Sequence, residues 1–534
     1  MRRLFVVLLV LLLLPTAART QQPAPFCGVV DSLDFPIPNL VAGYDDFGLY
    51  RARFGGNHVG LDIGFDRWGE PVHAAARGRV TLSNIEEWDT EKGVVIVEHT
   101  FPDGSIYYTL YGHMEETDTY KFPTVGQCVD QDSVLGGIGW PSRGRPHLHY
   151  EVRNFMPEEG GPGYVTTNPL DEGWYNPLDF TALWHLRLSP GFVESTTFHA
   201  VPALPPVVLD SGLYAIASGN VLLIGDRQNG QALWHVETDG VMTGIAGLPG
   251  DRVVAHTRNG QVLILENGRY SALWTVEGLD EPFLMLGETL VFVLPGGGVE
   301  AHDAAGTLLW SLPAVTTSGR VTQFAGSGQQ FALGVRTDSG DVLWRLINTA
   351  GQIQFEGTFD QQPVVAPAWD GSWVGLDGAQ FKRFVDGENH TYGSIGTVPG
   401  RTAVVTADVL GNSYVYLGDS GNTLMALDPT GRVLWRTPYP LPAAALSPLM
   451  DTGSGCVLYT LDSGGSLNLF DASSGELINQ VEIYAGGERN SSPRARVLEV
   501  DQNERIHVGS GFLSLVTLDG WALGGPAMNN CLLG

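Results

Sequence analysis

From Val221 to the end of the chain one unit keeps returning: a short apolar strand ending on Asp, Glu or Asn, a turn containing Gly, and a second strand that closes on an aromatic residue. Residues 221–226 lead to Leu233-Trp234, 261–266 to Leu273-Trp274, 299–303 to Leu309-Trp310 and 343–348 to Phe355. The clearest copy is 424–435, ending on Trp435; 467–478 follows it, and a shortened version at 515–521 ends the chain. Trp234 to Trp274 is 40 residues, Trp274 to Trp310 36, Trp310 to Phe355 45 and Trp435 to Ile478 43, with a weak copy near Tyr392 filling the gap. A unit this small cannot bury its own apolar face and must stack on its neighbours. Periods near 40 built from short strands are those of propeller blades, and the chain after position 206 has room for seven or eight.

The first third carries different chemistry. Asn57-His58-Val59-Gly60-Leu61-Asp62-Ile63-Gly64 supplies a His and a carboxylate four apart, and Pro146-His147-Leu148-His149-Tyr150-Glu151-Val152 supplies two His two apart. Both stretches are rich in β-branched residues and Gly and predict strands. On a strand, residues an even number apart point the same way. His58 and Asp62 are therefore expected to share one face with Leu61 and Ile63 on the other, and His147 and His149 to flank Leu148. Two such strands side by side would bring three or four ligand-type groups together. Two His and an Asp suit Zn2+, which in catalytic sites keeps one position open and makes water a nucleophile near neutral pH.

These segments stand in a longer series: 56–64, 69–80 (Gly-Glu-Pro-Val-His-Ala-Ala-Ala-Arg-Gly-Arg-Val), 95–99 (Val-Ile-Val-Glu-His), 108–114 (Tyr-Thr-Leu-Tyr-Gly-His-Met) and 144–153 (Gly-Arg-Pro-His-Leu-His-Tyr-Glu-Val-Arg). The series resembles the LytM/lysostaphin-type zinc peptidases, family M23, over about residues 35–185. The resemblance implies that His58, Asp62 and His149 bind zinc and that His113 and His147 orient or deprotonate the attacking water. It further implies an endopeptidase acting on the cross-links of bacterial peptidoglycan. The sequence departs from the family pattern at Glu91-Lys92-Gly93, at Gly139-Trp140-Pro141-Ser142 in place of Gly-Asn-Thr-Gly, and in an insertion over 156–174; all three could line a substrate groove. His73 and His99 fall where the family has packing residues and are read as structural.

The repeat pattern Leu-Asp-x-x-x-Gly-x-x-Leu-Trp resembles the PQQ-type propeller repeat. Its Trp is read as packing between adjacent blades. Quinoprotein dehydrogenases carry a vicinal Cys pair that is absent here, so the resemblance implies architecture and a binding module for a protein or glycan rather than redox chemistry. Gly418-Asp419-Ser420-Gly421 looks like a serine-protease nucleophile loop, but 460–465 occupies the same place one unit later, and a motif that recurs with the blade period is turn chemistry.

Arg2-Arg3, the apolar run Leu4 to Leu14 and Pro15-Thr16-Ala17-Ala18 read as a secretory signal over 1–22, since eleven apolar residues are too few to span a bilayer. The expected location is therefore secreted or in the cell envelope. A formal charge of −28 argues against nucleic acid or an anionic membrane surface as partner. Four Cys in an exported chain favour disulfides, with Cys27–Cys128 and Cys456–Cys531 the expected pairs. The expected organisation is all-β: a small antiparallel-sheet peptidase domain over 23–185, a Pro-rich linker over 186–206, and a propeller over 207–534. The competing reading keeps the same fold but makes the peptidase domain an occluded or regulatory scaffold for the propeller's binding.

Overall fold

The computed structural model describes residues 25–38, 45–85, 92–142, 144–156, 160–196, 204, 206–226, 232–276, 283–439, 448–462, 465–483, 495–501, 503–510 and 515–531. The expected signal over 1–22, most of Val201–Pro206 and residues 157–159 of the insertion lie outside them. Two compact units divide at Trp174/Tyr175, with residues 45–47 counted in the second.

The first unit strings together short strands: β1 (Tyr50–Arg51), β2 (Gly56–His58), β3 (Leu61–Ile63), β4 (Pro71–His73), β5 (Gly78–Asn84), β6 (Gly93–Thr100), β7 (Ile106–Glu115), β8 (Cys128–Val129), β9 (Val134–Ile138), β10 (Leu148–Arg153), β11 (Tyr164–Val165) and β12 (Trp174–Tyr175). The main sheet runs β12-β10-β7-β6-β5-β8, with β3 added on β10 and β9 joining β4 to β7; β1, β2 and β11 form a second small sheet. β6 and β10 are buried along nearly their whole length, because Val94, Ile96 and Leu110 pack on one side and Tyr111 and Tyr150 on the other. Cys27 is bonded to Cys128, fixing the leading segment to β8. Cys456 is also disulfide-bonded, and the described residues contain no free cysteine.

In the second unit helix α1 (Pro177–Arg187) starts on a capping Asn176 whose side chain accepts from Leu178 N, with Pro177 supplying the preset φ of a first helical position. Its Leu186 enters a core with Leu518 and Leu523. Next comes β13 (Phe192–Thr196), and after it the described residues form eight four-stranded sheets. Seven are made of four consecutive strands each, within 207–237, 242–275, 284–312, 320–359, 364–394, 404–438 and 449–482. The eighth takes 495–500, 505–510 and 515–519 from the end of the chain and completes itself with β13, antiparallel with Ser195 opposite Val516. Among the described residues the propeller thus has eight blades, and the last repeat is short because its fourth strand is Phe192–Thr196, inside the stretch read as a linker.

The repeated Trp and Gly are one device. A Cβ on Gly268, Gly306, Gly351 or Gly475 would meet the ring of Trp234, Trp274, Trp310 or Trp435, each from the preceding blade, at 2.5–3.3 Å. Gly431 stands in the same relation to Phe381 and Tyr392. All five glycines also have φ between +74° and +84°, so the turn and the neighbouring aromatic side chain both favour the residue without a side chain. Trp310 and Trp435 donate their indole N–H to Thr349 O and Ala472 O across the blade junction. Gly418–Gly421 lies in a turn held by Asp419, whose carboxylate accepts from Thr423 N and Oγ1; Asp462 accepts from Ser466 N at the equivalent place. No helix among the described residues is long and apolar enough to cross a membrane.

Candidate metal and catalytic site

His58 and Asp62 do not share one strand. Four residues of extended chain would carry Asp62 about 13 Å from His58, yet His58 Nε2 lies 3.3 Å from Asp62 Oδ1. The chain turns at Val59-Gly60 between β2 and β3, passing from the small sheet to the main one. Gly60 is required there, since a Cβ would fall 2.5 Å from Tyr150 O and 2.9 Å from His149 Nε2.

The second motif arrives by register. On β10, His149 is opposite Asp62 of β3 on one side and Gly112 of β7 on the other. His149 Nδ1 is 3.0 Å from His58 Nε2 and 3.2 Å from Asp62 Oδ1. His147 Nε2 approaches the same oxygen at 3.6 Å, and the His113 ring lies 4.7 Å from that of His147 and 6.1 Å from that of His149. All five expected residues therefore meet at one place. His113 holds φ at +59°, a strained conformation for a residue with a side chain, and its carbonyl accepts from Gly139 N at 2.7 Å.

Hydrogen bonds fix the rings. His149 Nε2 lies 2.9 Å from Glu151 Oε1; a carboxylate accepts, so Nε2 carries a proton, and Nδ1 is the nitrogen turned to Asp62, where it donates while protonated and would offer its lone pair to a bound ion. Glu151 is fully buried and also accepts from Trp174 Nε1 at 2.9 Å and Arg153 at 3.1 Å. In the same way His147 Nδ1 donates to Arg145 O at 2.8 Å, leaving Nε2 as the free base. Burial alone would push the Asp62 carboxyl up, but hydrogen bonds from His149 and His58 outweigh it and hold it well below the usual carboxylate range. Burial pulls the His149 imidazole down, and its bonds to Asp62 and Glu151 raise it beyond compensation.

The donor set suits a divalent ion: His58, Asp62 and His149 each offer one ligand atom, all within 4.8 Å of one another, and one carboxylate with two neutral imidazoles is a zinc-type combination. His73 and His99 stand apart from it. His73 Nδ1 bonds to Asp132 O. His99 is buried between Arg77 O and Thr109 Oγ1, and burial drops its pKa to about 4. Of the insertion, Tyr164 pairs opposite His58, with its ring 5.1 Å from the imidazole and stacked on Phe54 at 4.4 Å.

Glu151 and Tyr164 went unassigned in the sequence reading. Glu151 carried a usable signal, since it sits two residues beyond His149 and so on the same strand face. Tyr164 carried none, because its place depends on where the insertion returns.

The first unit is thus a sheet-borne cluster of metal-ligand type beside two further histidines, and the second an eight-bladed propeller. The model of peptidase family M23 matches residues 56–163, and one described as outer membrane protein assembly factor BamB matches 217–371 and 390–512, just over half of the chain. The chain belongs to that PQQ-type repeat family and carries an M23 peptidase domain ahead of the propeller. Among solved structures it is similar to BamB from Moraxella catarrhalis (16% identity, 61% of this chain and 98% of that one, TM-score 0.44). It is also similar to the computationally designed Ika8 protein (14%, 61% and 99%, 0.45) and to Sqt1 from Chaetomium thermophilum (12%, 61% and 100%, 0.46). No curated protein matches it.

Proposed function

We propose that this protein is an exported zinc metalloendopeptidase that hydrolyses peptide cross-links of bacterial peptidoglycan, with the propeller as its binding or targeting module. The observation that carries the reading is the convergence of His58 Nε2, Asp62 Oδ1 and His149 Nδ1 with the rings of His113 and His147 alongside. His58, Asp62 and His149 would hold the ion. When bound, zinc supplies a Lewis acid and lowers the pKa of water towards neutrality.

The remaining work belongs to the chain. His147, with Nδ1–H tied to Arg145 O, offers an unprotonated Nε2 that takes the proton from the attacking water and returns it to the leaving amine. His113 stands within ring contact of His147 and donates a hydrogen bond to the oxygen on which negative charge develops. Glu151 keeps His149 in the tautomer that leaves Nδ1 available. Export rests on the leader-like 1–22, and a wall substrate on the M23 match.

The test is metal analysis of the purified chain together with release of soluble fragments from bacterial sacculi, with and without a chelator. Stoichiometric zinc with chelator-sensitive release is the expected result. Zinc without release would overturn the catalytic reading in favour of a scaffold domain.

A further inference from the structure

Two of the three departures from the M23 pattern meet on one exposed surface of the first unit. Trp140, from the loop that replaces Gly-Asn-Thr-Gly, lies edge-on to Trp68 with ring centroids 5.7 Å apart and 64° between planes. Trp68 is 59% and Trp140 50% exposed, where adjacent indoles would ordinarily be covered. Their polar handles are already used: Trp68 Nε1 donates to the Glu115 carboxylate, and Trp140 Nε1 to Gly144 O at 3.1 Å. Lys92, from the other departure, lies 3.1 Å from the second oxygen of Glu115. Among the described residues two flanking pairs of opposite charge also meet, Arg67 with Glu70 and Arg145 with Asp66.

What the described residues of this surface present to a ligand is ring faces, fixed by their own hydrogen bonds and flanked by paired charges. Such a shelf takes a flat body with C–H bonds along its face, whose weakly positive hydrogens meet the electron-rich faces of the indoles. It adjoins the catalytic pair. Glu115 is two residues beyond His113 on β7, Gly139 immediately before Trp140 donates to His113 O, and Phe65, in the loop leading to Trp68, stacks on His147 at 5.3 Å.

We infer that Trp68 and Trp140 form a subsite for a pyranose ring of the glycan strand that carries the scissile peptide, an assignment that rests on the peptidase reading above. With a net charge of −28 the chain draws nothing to an anionic wall by bulk attraction, and stacking on an uncharged ring holds the substrate without it.

The experiment has two arms. In the first, the full chain is titrated with β-1,4-linked N-acetylglucosamine oligomers and followed by tryptophan fluorescence. In the second, kcat/KM is compared for a disaccharide-bearing muropeptide and for the same peptide without sugar. Oligomer binding weakened roughly tenfold by Trp68→Ala and by Trp140→Ala is expected, with Trp68→Phe, which keeps a ring face, recovering most of it. The kcat/KM advantage of the sugar-bearing substrate should fall towards one in both Ala variants. Oligomers that fail to bind, or bind wild type and Trp68→Ala alike, overturn the subsite even where cleavage is chelator-sensitive. Binding of the bare peptide that alone depends on Trp68 also overturns it, assigning the shelf to peptide. Trp68-dependent oligomer binding without cleavage of either substrate by the zinc-loaded chain overturns the peptidase reading and leaves the subsite standing.

Discussion

His149 stands directly across the sheet from Asp62, and its Nδ1 comes within 3.2 Å of the Asp62 carboxylate while its Nε2 is held by Glu151. One backbone register thus sets both which ring nitrogen faces the site and which oxygen it meets.

His58→Ala or His149→Ala is expected to abolish both zinc binding and hydrolysis, since each removes one of three ligand atoms. His113→Ala should retain stoichiometric zinc, read by metal analysis, while losing activity by about two orders of magnitude or more. Full activity in a zinc-free His149→Ala protein would sink the mechanism.

Glu151→Ala removes the partner of three buried groups at once, His149, Arg153 and Trp174. Zinc affinity, measured by competition with a chelator, should fall about 10–100-fold as His149 loses its orientation. Arg153, fully buried beside Glu151, would be left without its counter-charge, and urea unfolding should report a loss of roughly 3–5 kcal/mol.

His99 makes the fold acid-sensitive. Its folded pKa of about 4 lies below the ordinary 6.5 because burial disfavours the charged ring, so the fold favours the neutral form. The stability tied to this residue is complete above pH 6.5 and is lost as pH falls towards 4, to a total of about 3 kcal/mol. Urea unfolding of wild type and His99→Gln between pH 7 and 4 should show the shallower pH slope in the variant; equal slopes would dismiss the effect.

Closure of the propeller by β13 separates two neighbouring substitutions. Phe192 packs against the core that includes Leu518 and Leu523, whereas Val193 is 42% exposed. Phe192→Ala should cost about 2 kcal/mol or more of propeller stability and Val193→Ala within about 0.5 kcal/mol, both by thermal unfolding of the full chain.

The site residues were legible because each carries its chemistry in its side chain and sits in a short, ordered motif. Their geometry was less so. The strand periodicity placed His58 and Asp62 on one face of one strand, where the molecule folds the chain at Gly60 and joins them across two sheets. Nothing local to 57–64 records that Tyr150 O passes within 2.5 Å of where a Cβ at position 60 would be. The blade repeat was legible for the opposite reason, since Trp and Gly of successive units touch one another and every copy repeats the constraint. β13 escaped it because a strand that completes another blade's sheet needs no Trp and no Asp-Gly turn of its own.

That same strand sets an order of events during synthesis. Residues 192–196 leave the ribosome before any other part of the propeller, and their partner at 515–519 follows only after roughly 320 further residues, on the order of 16–60 s at ordinary elongation rates. Throughout that interval the earliest strand of the ring lacks the strand it pairs with in the folded chain. A chain that ends just before Leu515 therefore leaves Phe192–Thr196 without its partner strand and the ring unclosed, so that the apolar faces of the terminal blades stay open to association.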